Sequence, residues 1–196
     1  MVYIFAYILT SLLNWLFFTC RVSGRENLPA EDGYILASNH LSNIDPFILG
    51  FTIGRRCNFL AKESLVKNKI SSWFFRSLGV IPIKRDTSDF RAIREAIKQL
   101  KKGTPLIVFP EGTRGASDRK KEPQPGIALI AVKSGVPIIP VRIEGSDKAL
   151  PPHSMRFYRY PVKITIGKPL QFSKAQSYPQ IANQIMDKIY SPVLMK

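Results

Sequence analysis

Short apolar runs alternate with segments of helical periodicity along most of this chain, and no other feature limits its fold as strongly. Runs that predict buried strands lie at 34–37, 56–61, 80–83, 106–109, 138–143 and 162–166. Segments that predict helices lie at 46–53, 64–78, 89–102 and 127–133, with a closing amphipathic helix at Ile181, Ile185 and Ile189. This alternation is typical of an α/β fold, here a single domain with a mixed, mostly parallel sheet flanked by helices.

The segment 89–102 has the clearest helical pattern in the chain. Its apolar residues recur at the spacing of one helix face, namely Phe90, Ile93, Ile97 and Leu100. Ser88 precedes this pattern as a candidate N-cap, and Gly103 follows it as a candidate stop. We therefore expect an amphipathic helix that packs one side against the sheet.

The charge balance is strongly basic. The chain has 29 Lys and Arg residues against 14 Asp and Glu residues, which gives a net charge of +15. This surplus predicts an anionic partner, which would be nucleic acid, a phosphorylated small molecule or an anionic membrane surface. The two cysteines, Cys20 and Cys57, cannot form a disulfide framework, and this favours a reducing compartment.

The first twenty residues are apolar, and no charged side chain occurs between Val2 and Cys20. A helix of about eighteen residues spans about 27 Å, close to the bilayer hydrocarbon thickness of about 30 Å. A mildly polar stripe at spacings of three and four would let one face pack on the protein body while the others enter lipid. We predict a membrane-associated helix over 1–20, either spanning the bilayer or lying in its interface, and a separate domain over 21–196.

The flanks of this apolar segment bear on its orientation and on the alternatives. Arg21 and Arg25 follow it and no basic residue precedes it, so the positive-inside rule predicts a cytoplasmic body. A cleaved signal peptide is disfavoured because a basic start is missing and bulky Phe17 and Phe18 stand where a cleavage site needs small residues. A buried core helix is the other alternative, which so short a chain would hide only at the expense of its remaining core.

His40 directly follows a predicted buried strand, at a turn into the next helix, where active residues of α/β folds concentrate. Asp45 comes five residues later, about 140° away on an ideal helix, so the two side chains meet only if a turn folds the carboxylate back. The pair would then be an imidazole base oriented by an acid. Alternatively, Asp45 caps a helix that begins with Pro46, and one residue can do both.

A second candidate segment is 109–115, with the sequence Phe-Pro-Glu-Gly-Thr-Arg-Gly. A predicted strand breaks at the proline, and the glycines permit a tight turn from which Glu111, Thr113 and Arg114 would project. The guanidinium of Arg114 suits bidentate phosphate binding. An ordinary turn with solvated charges is the alternative.

Lys62 and Arg85 also follow predicted strands, and basic groups that converge at one sheet edge would form a phosphate pocket. Taken singly, each is better interpreted as a surface charge, so only their joint placement favours the pocket. The sequence has no Gly-x-Ser-x-Gly elbow, Walker A loop, Gly-x-Gly-x-x-Gly motif or metal-ligand spacing of Cys and His. We therefore predict no covalent acyl-enzyme, no metal and no resident cofactor. If acyl transfer occurs, a histidine would deprotonate the acceptor hydroxyl directly.

Four short blocks occur in order at 39–46, 79–85, 109–114 and 136–141, with a lysine-bearing segment at 61–65. Together they resemble the glycerophospholipid acyltransferases, the 1-acylglycerol-3-phosphate acyltransferase (PlsC-like) group. The first block is similar to the family's Asn-His-x4-Asp-Pro motif, and four blocks in order are far more specific than one. Pro82 departs from the bulky residue common in the second block.

This resemblance implies a reaction and a set of site residues. His40 would be the general base and Asp45 would orient it. Acyl-CoA or acyl-carrier protein would donate the acyl group to the free hydroxyl of 1-acylglycerol 3-phosphate (lysophosphatidic acid), making phosphatidic acid. The residues implied in substrate binding are Lys62, Arg85, Glu111, Gly112, Thr113 and Arg114.

Two alternatives to this activity remain. Glycerol 3-phosphate or another lysophospholipid would be the acceptor in the first. In the second, the net charge of +15 belongs to a non-catalytic module that binds membrane surfaces or nucleic acid. A recognisable RNA-binding motif is missing and the N-terminus is apolar, so we expect no nucleic-acid partner. The favoured prediction is an acyltransferase at the cell membrane, with its catalytic domain on the cytoplasmic side.

Overall fold

A seven-stranded sheet forms the centre of the body over the residues that the structure describes. This computed structural model describes Phe5, Ile8, Leu12 and the ranges 19–84, 89–115, 122–173 and 175–191. The strands are β1 (Arg21–Ser23), β2 (Ile35–Ser38), β3 (Asn58–Lys62), β4 (Val80–Ile83), β5 (Leu106–Val108), β6 (Ile138–Glu144) and β7 (Lys163–Ile166).

The strands lie in the order β1-β7-β6-β2-β5-β3-β4. Neighbouring strands run parallel except β6 and β7, which are antiparallel. The prediction of a mixed, mostly parallel sheet is therefore confirmed. Strand β1 was not predicted, because its three residues are mostly exposed and give no apolar run.

The described helices connect these strands and cover the sheet. They are α1 (Asp45–Ile53), α2 (Lys69–Ser77), α3 (Phe90–Lys101), α4 (Gly126–Ser134), α5 (Ser146–Ala149) and α6 (Tyr178–Ile189). The continuous helix predicted over 64–78 is instead a 3-10 turn at Glu63–Val66 followed by α2. The break falls there because Asn68 starts α2 as an N-cap, with its side chain accepting a 2.8 Å bond from the Ser71 amide.

Both faces of the sheet are covered, which explains why its central strand is apolar throughout. Ile35 of β2 packs into a cluster that includes Ala96 of α3 and Ile185 of α6. Leu36, the next residue, points to the other face and packs into a cluster that includes Leu49 of α1. Successive side chains of the strand thus pack alternately into two hydrophobic layers, one on each face of the sheet, as expected for parallel strands in an α/β fold.

Helix α3 begins at a different cap from the predicted one. Asp89 is the N-cap, and its carboxylate accepts bonds of 3.1 Å from the amides of Ala92 and Lys84. Hydrogen bonding from the Lys84 amide in particular lowers the pKa of Asp89. The prediction of Ser88 as the cap is wrong because the carboxylate next to it serves both the helix and the end of β4; Ser88 itself lies outside the described residues.

Most of the helix predicted over 1–20 lies outside the described residues. Phe5, Ile8 and Leu12 are helical and mostly exposed, at spacings of three and four that put them on one face. In the part of the chain that the structure describes, we find no helix with the length and apolar character needed to cross a membrane. Membrane association and the boundary between 1–20 and 21–196 therefore stay predictions.

Gly79 lies between α2 and β4, where the backbone of Cys57 approaches it closely. Any side chain at this position is therefore predicted to lower the stability of the fold. Its φ is +91°, and an added Cβ would lie 2.4 Å from the carbonyl oxygen of Cys57. We expect Gly79→Ala to lower the free energy of unfolding by about 2–4 kcal/mol, since left-handed strain adds to a backbone clash.

The matched control is Gly54, which ends α1 with φ +73° and has no atom within 4 Å of an added Cβ. Gly54→Ala should lower the free energy of unfolding by only about 1–2 kcal/mol, the strain of the left-handed backbone. Urea denaturation of both variants measures the difference, and equal losses would show that the Cys57 contact has no effect.

Candidate active site

The carboxyl ends of the parallel strands share one edge of the sheet, and a cleft of about 1460 Å³ opens there. His40, Lys62, Lys84 and Phe109 line it, each at or just beyond the end of β2, β3, β4 or β5. Apolar side chains from the helices form much of the remaining wall, among them Phe51, Phe75, Leu78 and Ile130. Ligands of open α/β sheets bind in such crevices at the carboxyl ends of strands.

The imidazole of His40 is hydrogen-bonded to a buried carboxylate. Its Nδ1 lies 2.9 Å from Asp45 Oδ2, and the two side chains are 16% and 0% exposed. The offset of five residues is closed because the chain between them is a turn rather than a helix. With Nδ1–H donating to the carboxylate, the neutral ring carries its lone pair on Nε2, the tautomer that a general base requires.

Asp45 Oδ2 accepts two more bonds, each of 2.7 Å, from the backbone amides of Leu41 and Ser42. Asp45 is the first residue of α1, Ile44 is its N-cap, and no side chain caps this helix. The alternative in which Asp45 serves as N-cap is therefore wrong, because its carboxylate turns back to the preceding loop. Its negative charge still lies at the helix N-terminus, where the helix dipole stabilises it.

The turn between β2 and α1 is tied to distant parts of the chain. The side-chain amide of Asn39 donates to the Ile143 carbonyl (2.9 Å) and accepts from the Ile143 amide (2.7 Å). Ser42 Oγ donates to the Leu150 carbonyl at 2.7 Å. These bonds are buried, so they hold the loop that carries His40 against β6 and the segment after α5. No local sequence pattern marks this role of Asn39, because its partner is 104 residues away.

Phe109 and Gly115 hold His40 from the other side. The Phe109 ring stacks on the imidazole with centroids 4.1 Å apart and planes inclined by 20°. The Gly115 amide donates to the His40 carbonyl at 2.8 Å. The segment 109–115 therefore supports the histidine as well as lining the cleft, a role that the sequence did not reveal.

The predicted tight turn in this segment is present. Gly112 has φ +67° and its amide donates to the Phe109 carbonyl at 3.0 Å. Glu111 is buried, at 4% exposure, whereas Thr113 is exposed and Arg114 is half-buried. The turn thus directs the carboxylate inward while Arg114 and Thr113 line the cleft.

Glu111 is held by a residue near the C-terminal end of the described chain. The Tyr190 hydroxyl, just beyond α6, donates to Glu111 Oε1 at 2.7 Å. Burial and the bond to Glu111 raise the pKa of Tyr190, so the hydroxyl stays protonated as a donor. The guanidinium of buried Arg142 lies 4.3 Å from the centre of the Tyr190 ring. Tyr190 gave no sequence signal, because its partner is 79 residues away.

The structure brings most of the predicted site residues to this one cleft. Those that line it are His40, Lys62, Glu111, Gly112, Thr113 and Arg114, with Asp45 behind the imidazole. Arg85 lies outside the described residues, so its place in the site stays a prediction. The described cations of the cleft, Lys62, Lys84 and Arg114, are suited to an anionic group such as a phosphate.

The other histidine, His153, belongs to an exposed turn and also lines the cleft. No group of three or more metal-ligating side chains converges among the described residues. An oriented imidazole beside cationic side chains at the carboxyl edge of a parallel sheet is suited to general-base chemistry on a phosphate-bearing substrate. The fold and site thus define an α/β protein whose cleft is suited to this chemistry.

Comparison with known proteins identifies the family. The model of the family described as Acyltransferase matches residues 19–144, which is more than half of the chain, so this protein belongs to the Acyltransferase family. The resemblance predicted from the four sequence blocks is confirmed. The matched range contains the His40 turn and the 109–115 turn.

Individual relatives agree with this assignment. The chain is 31% identical over 153 residues to the 1-acyl-sn-glycerol-3-phosphate acyltransferase of Bacillus subtilis, covering 76% of this chain and 73% of the relative. It matches the crystal structure of the 1-acyl-sn-glycerophosphate acyltransferase PlsC from Thermotoga maritima with a TM-score of 0.77 and 31% identity, over 93% of this chain and 76% of that one.

The plant relatives are longer. The chloroplast 1-acyl-sn-glycerol-3-phosphate acyltransferases of Brassica napus and Arabidopsis thaliana are 32% and 31% identical over 81% and 88% of this chain. The match covers 47% and 49% of these relatives, so the chain spans about half of their length.

The contact between Tyr190 and Glu111 predicts that removal of the Tyr190 hydroxyl lowers the stability of the fold, whereas removal of the Tyr178 hydroxyl does not. Tyr190→Phe removes the donor to the buried Glu111 carboxylate, so we expect the free energy of unfolding to fall by about 1–3 kcal/mol. Tyr178→Phe, at the other end of α6, is the matched control because its hydroxyl shows no hydrogen bond to any described residue. Chemical denaturation measures both variants, and equal stabilities would show that the contact contributes nothing.

Proposed function

We propose that this protein transfers a fatty acyl group from acyl-CoA or acyl-carrier protein to the free hydroxyl of 1-acylglycerol 3-phosphate, which yields phosphatidic acid. The observation that carries the proposal is the 2.9 Å contact between His40 Nδ1 and Asp45 Oδ2, in a cleft that also contains Lys62 and Arg114. The names of the relatives, which are 1-acyl-sn-glycerol-3-phosphate acyltransferases, support this acceptor.

In this mechanism His40 Nε2 takes the proton of the acceptor hydroxyl as the hydroxyl oxygen attacks the thioester carbonyl. The positive charge that develops on the imidazole is stabilised by the Asp45 carboxylate, which also fixes the ring orientation. This attack forms the new C–O bond, and collapse of the tetrahedral intermediate then re-forms the carbonyl and breaks the C–S bond. The proton held by His40 then passes to the leaving thiolate, which restores the neutral base.

The acceptor phosphate would be bound by the cationic side chains of the cleft. Arg114 offers a planar guanidinium that bonds two phosphate oxygens at once, and Lys62 adds a point charge. Arg85 is proposed for the same role from the family resemblance alone. The inward Glu111 and the tight turn at Gly112 would shape this subsite without contacting the phosphate oxygens, since a carboxylate repels them.

The apolar part of the cleft is suited to fatty chains. Phe51, Phe75, Leu78 and Ile130 line it, and burial of a methylene group there stabilises a bound chain by about 0.8 kcal/mol. Alignment of a bound acyl donor and acceptor beside His40 would supply much of the remaining rate acceleration. The donor therefore needs only a thioester with an acyl chain, which both acyl-CoA and acyl-carrier protein provide.

We also propose that the enzyme acts at the cytoplasmic face of a cell membrane. The apolar segment 1–20 followed by Arg21 and Arg25 supports this orientation, and the acceptor and product are membrane lipids. A net charge of +15 would attract anionic headgroups and the phosphates of CoA, or an acidic carrier protein.

The experiment that tests the activity is thioester release with a panel of acceptors, run separately with acyl-CoA and acyl-carrier protein. We expect turnover with 1-acylglycerol 3-phosphate and much less with glycerol 3-phosphate or with lysophospholipids that carry larger headgroups. Preferred turnover of glycerol 3-phosphate would support the alternative acceptor. Salt-sensitive RNA binding without thioester consumption would instead support a non-catalytic basic module.

The two histidines of the cleft provide a matched pair of variants. His40→Ala should lower kcat by about 10²–10⁴-fold because it removes the general base. His153→Ala should retain activity, because His153 lines the same cleft without a carboxylate partner among the described residues. Steady-state kinetics with purified, folded variants measures both effects. Near-normal turnover of His40→Ala would remove this residue from the mechanism.

Substitution of Arg114 should weaken binding of the acceptor more than binding of the acyl donor. Arg114→Ala removes charge-assisted bonds to phosphate, so we expect the acceptor KM to rise about 10–100-fold with a smaller change in the donor KM. Arg156→Ala, which removes an exposed arginine outside the cleft, serves as the charge control. An unchanged acceptor KM, or a rise confined to the donor KM, would remove Arg114 from the acceptor phosphate subsite.

A further inference from the structure

Exposed apolar side chains concentrate around the mouth of the cleft. Among the described residues, four large exposed apolar side chains also line the cleft, namely Phe47, Leu65, Phe74 and Phe90. Ile70 and Trp73 lie on α2 next to Phe74 and are 81% and 64% exposed. Contiguous apolar surface of this kind marks a place where a protein meets another phase or molecule.

Helix α2 presents this apolar surface with basic residues at its border. None of the nine residues of α2 is buried. At 100° per residue, Ile70, Trp73 and Phe74 fall within one sector of about 100°, and Lys69 and Arg76 lie beside the Trp73 end of that sector. Exposed aromatic and aliphatic residues flanked by Lys and Arg are typical of a helix that lies in the headgroup region of a bilayer.

The basic border continues onto α3. A shallow groove of about 400 Å³ separates the end of α2 from the outer face of α3. The cations that line it are Arg76, Arg91, Arg94 and Lys98. Two acids are close: Glu95 lies in the groove, and Glu63 pairs with Arg91 at 3.6 Å. Cations still outnumber acids, so the surface attracts an anionic partner.

This surface is remote from the point where the N-terminal segment joins the body. That segment leads into β1, and α2 precedes β4, which lies at the opposite edge of the sheet. Six strand spacings of about 4.8 Å separate these edges by about 29 Å. A contact at α2 is therefore separate from any contact made where the chain enters β1.

We propose that Lys69, Ile70, Trp73, Phe74 and Arg76, which we call the α2 surface, bind the headgroup region of an anionic lipid bilayer. The basic groove beside it adds electrostatic attraction to the same bilayer. The proposal rests on the proposed function in one respect, because it takes the acceptor and product to be membrane lipids. It assigns to the catalytic body a bilayer contact of its own, at the mouth of the cleft.

A bilayer fits this surface better than a protein partner because the surface is continuous with the cleft. Phe74 of α2 is exposed and also lines the cleft. Leu65, in the 3-10 turn before α2, and Phe90, at the start of α3, are likewise exposed and line the cleft. A fatty chain moving between a bilayer and the cleft would pass along apolar side chains rather than through water. A protein occupant would instead cover the route that the lipid must take.

The fluorescence of Trp73 tests the contact directly in the full chain. The chain has two tryptophans, Trp15 and Trp73, so Trp15→Phe leaves Trp73 as the only indole. Vesicles of phosphatidylcholine with phosphatidylglycerol should shift its emission to shorter wavelength, and lipids with brominated acyl chains should quench it. Unchanged emission with vesicles that nevertheless co-sediment the protein would overturn the proposal. A shift produced by acyl-carrier protein and not by vesicles would also overturn it.

Vesicle co-sedimentation of matched variants tests the residues. Removal of two basic residues by Lys69→Gln with Arg76→Gln should weaken affinity for anionic vesicles about 25-fold. The control pair, Lys168→Gln with Lys188→Gln, removes the same charge from exposed positions in the loop after β7 and on α6. It should lower the affinity for anionic vesicles far less than the first pair does. Equal losses in the two pairs would show that only net charge matters and would overturn the assignment to the α2 surface.

Activity with two forms of the acceptor separates this proposal from the proposed function. Ile70→Ser with Trp73→Ser alters residues that do not line the cleft. We expect unchanged turnover of a short-chain acceptor that is monomeric in water and a loss of about tenfold or more with acceptor embedded in vesicles. If the double variant and the unaltered protein turn over the embedded acceptor equally, the surface proposal is overturned. If the unaltered protein turns over neither acceptor while brominated lipids still quench Trp73, only the proposed function is overturned.

Discussion

One carboxylate oxygen, Oδ2 of Asp45, organises the site because it accepts bonds from His40 and from the amides of Leu41 and Ser42. Asp45 is completely buried, and a buried carboxylate without donors is strongly destabilising. The loop that follows β2 must therefore fold around this oxygen, and the imidazole is oriented as part of the same arrangement. A single turn therefore both satisfies the buried charge and fixes the orientation of the imidazole.

The rest of the cleft is fitted around that turn by contacts from distant segments. Asn39 joins it to Ile143 of β6, and Gly115 joins it to the loop after β5. Glu111, in the same loop, is held by Tyr190 at the far end of α6. Strands β2, β5 and β6 are neighbours in the sheet, so small shifts of one strand against another would move the imidazole relative to Arg114. The rigidity of the sheet is therefore part of the geometry of the site.

The sequence predicted features that depend on local pattern. Strands β2 to β7, the amphipathic pattern of α3 and the tight turn at Gly112 follow from apolar period and glycine chemistry, and the structure contains them. Contacts such as Tyr190 with Glu111 could not be predicted, because 79 residues separate the partners and no local pattern marks either one. The split of 64–78 could have been found from Asn68 and Ser71, whose spacing is that of a capping box.

Helix α2, at the edge of the cleft, is much less buried than the strands that carry the site. A nine-residue helix without buried residues gains little from packing, and short helices are marginal in water. The reciprocal bonds between Asn68 and Ser71 stabilise its first turn, and Phe75 and Leu78 line the cleft. We therefore expect α2 to unfold locally at a lower free energy than the sheet that positions His40 and Asp45. Under the proposed function, lipids with long chains would enter and leave beside this weakly packed helix, while the bonds to Asp45 keep the His40 imidazole oriented.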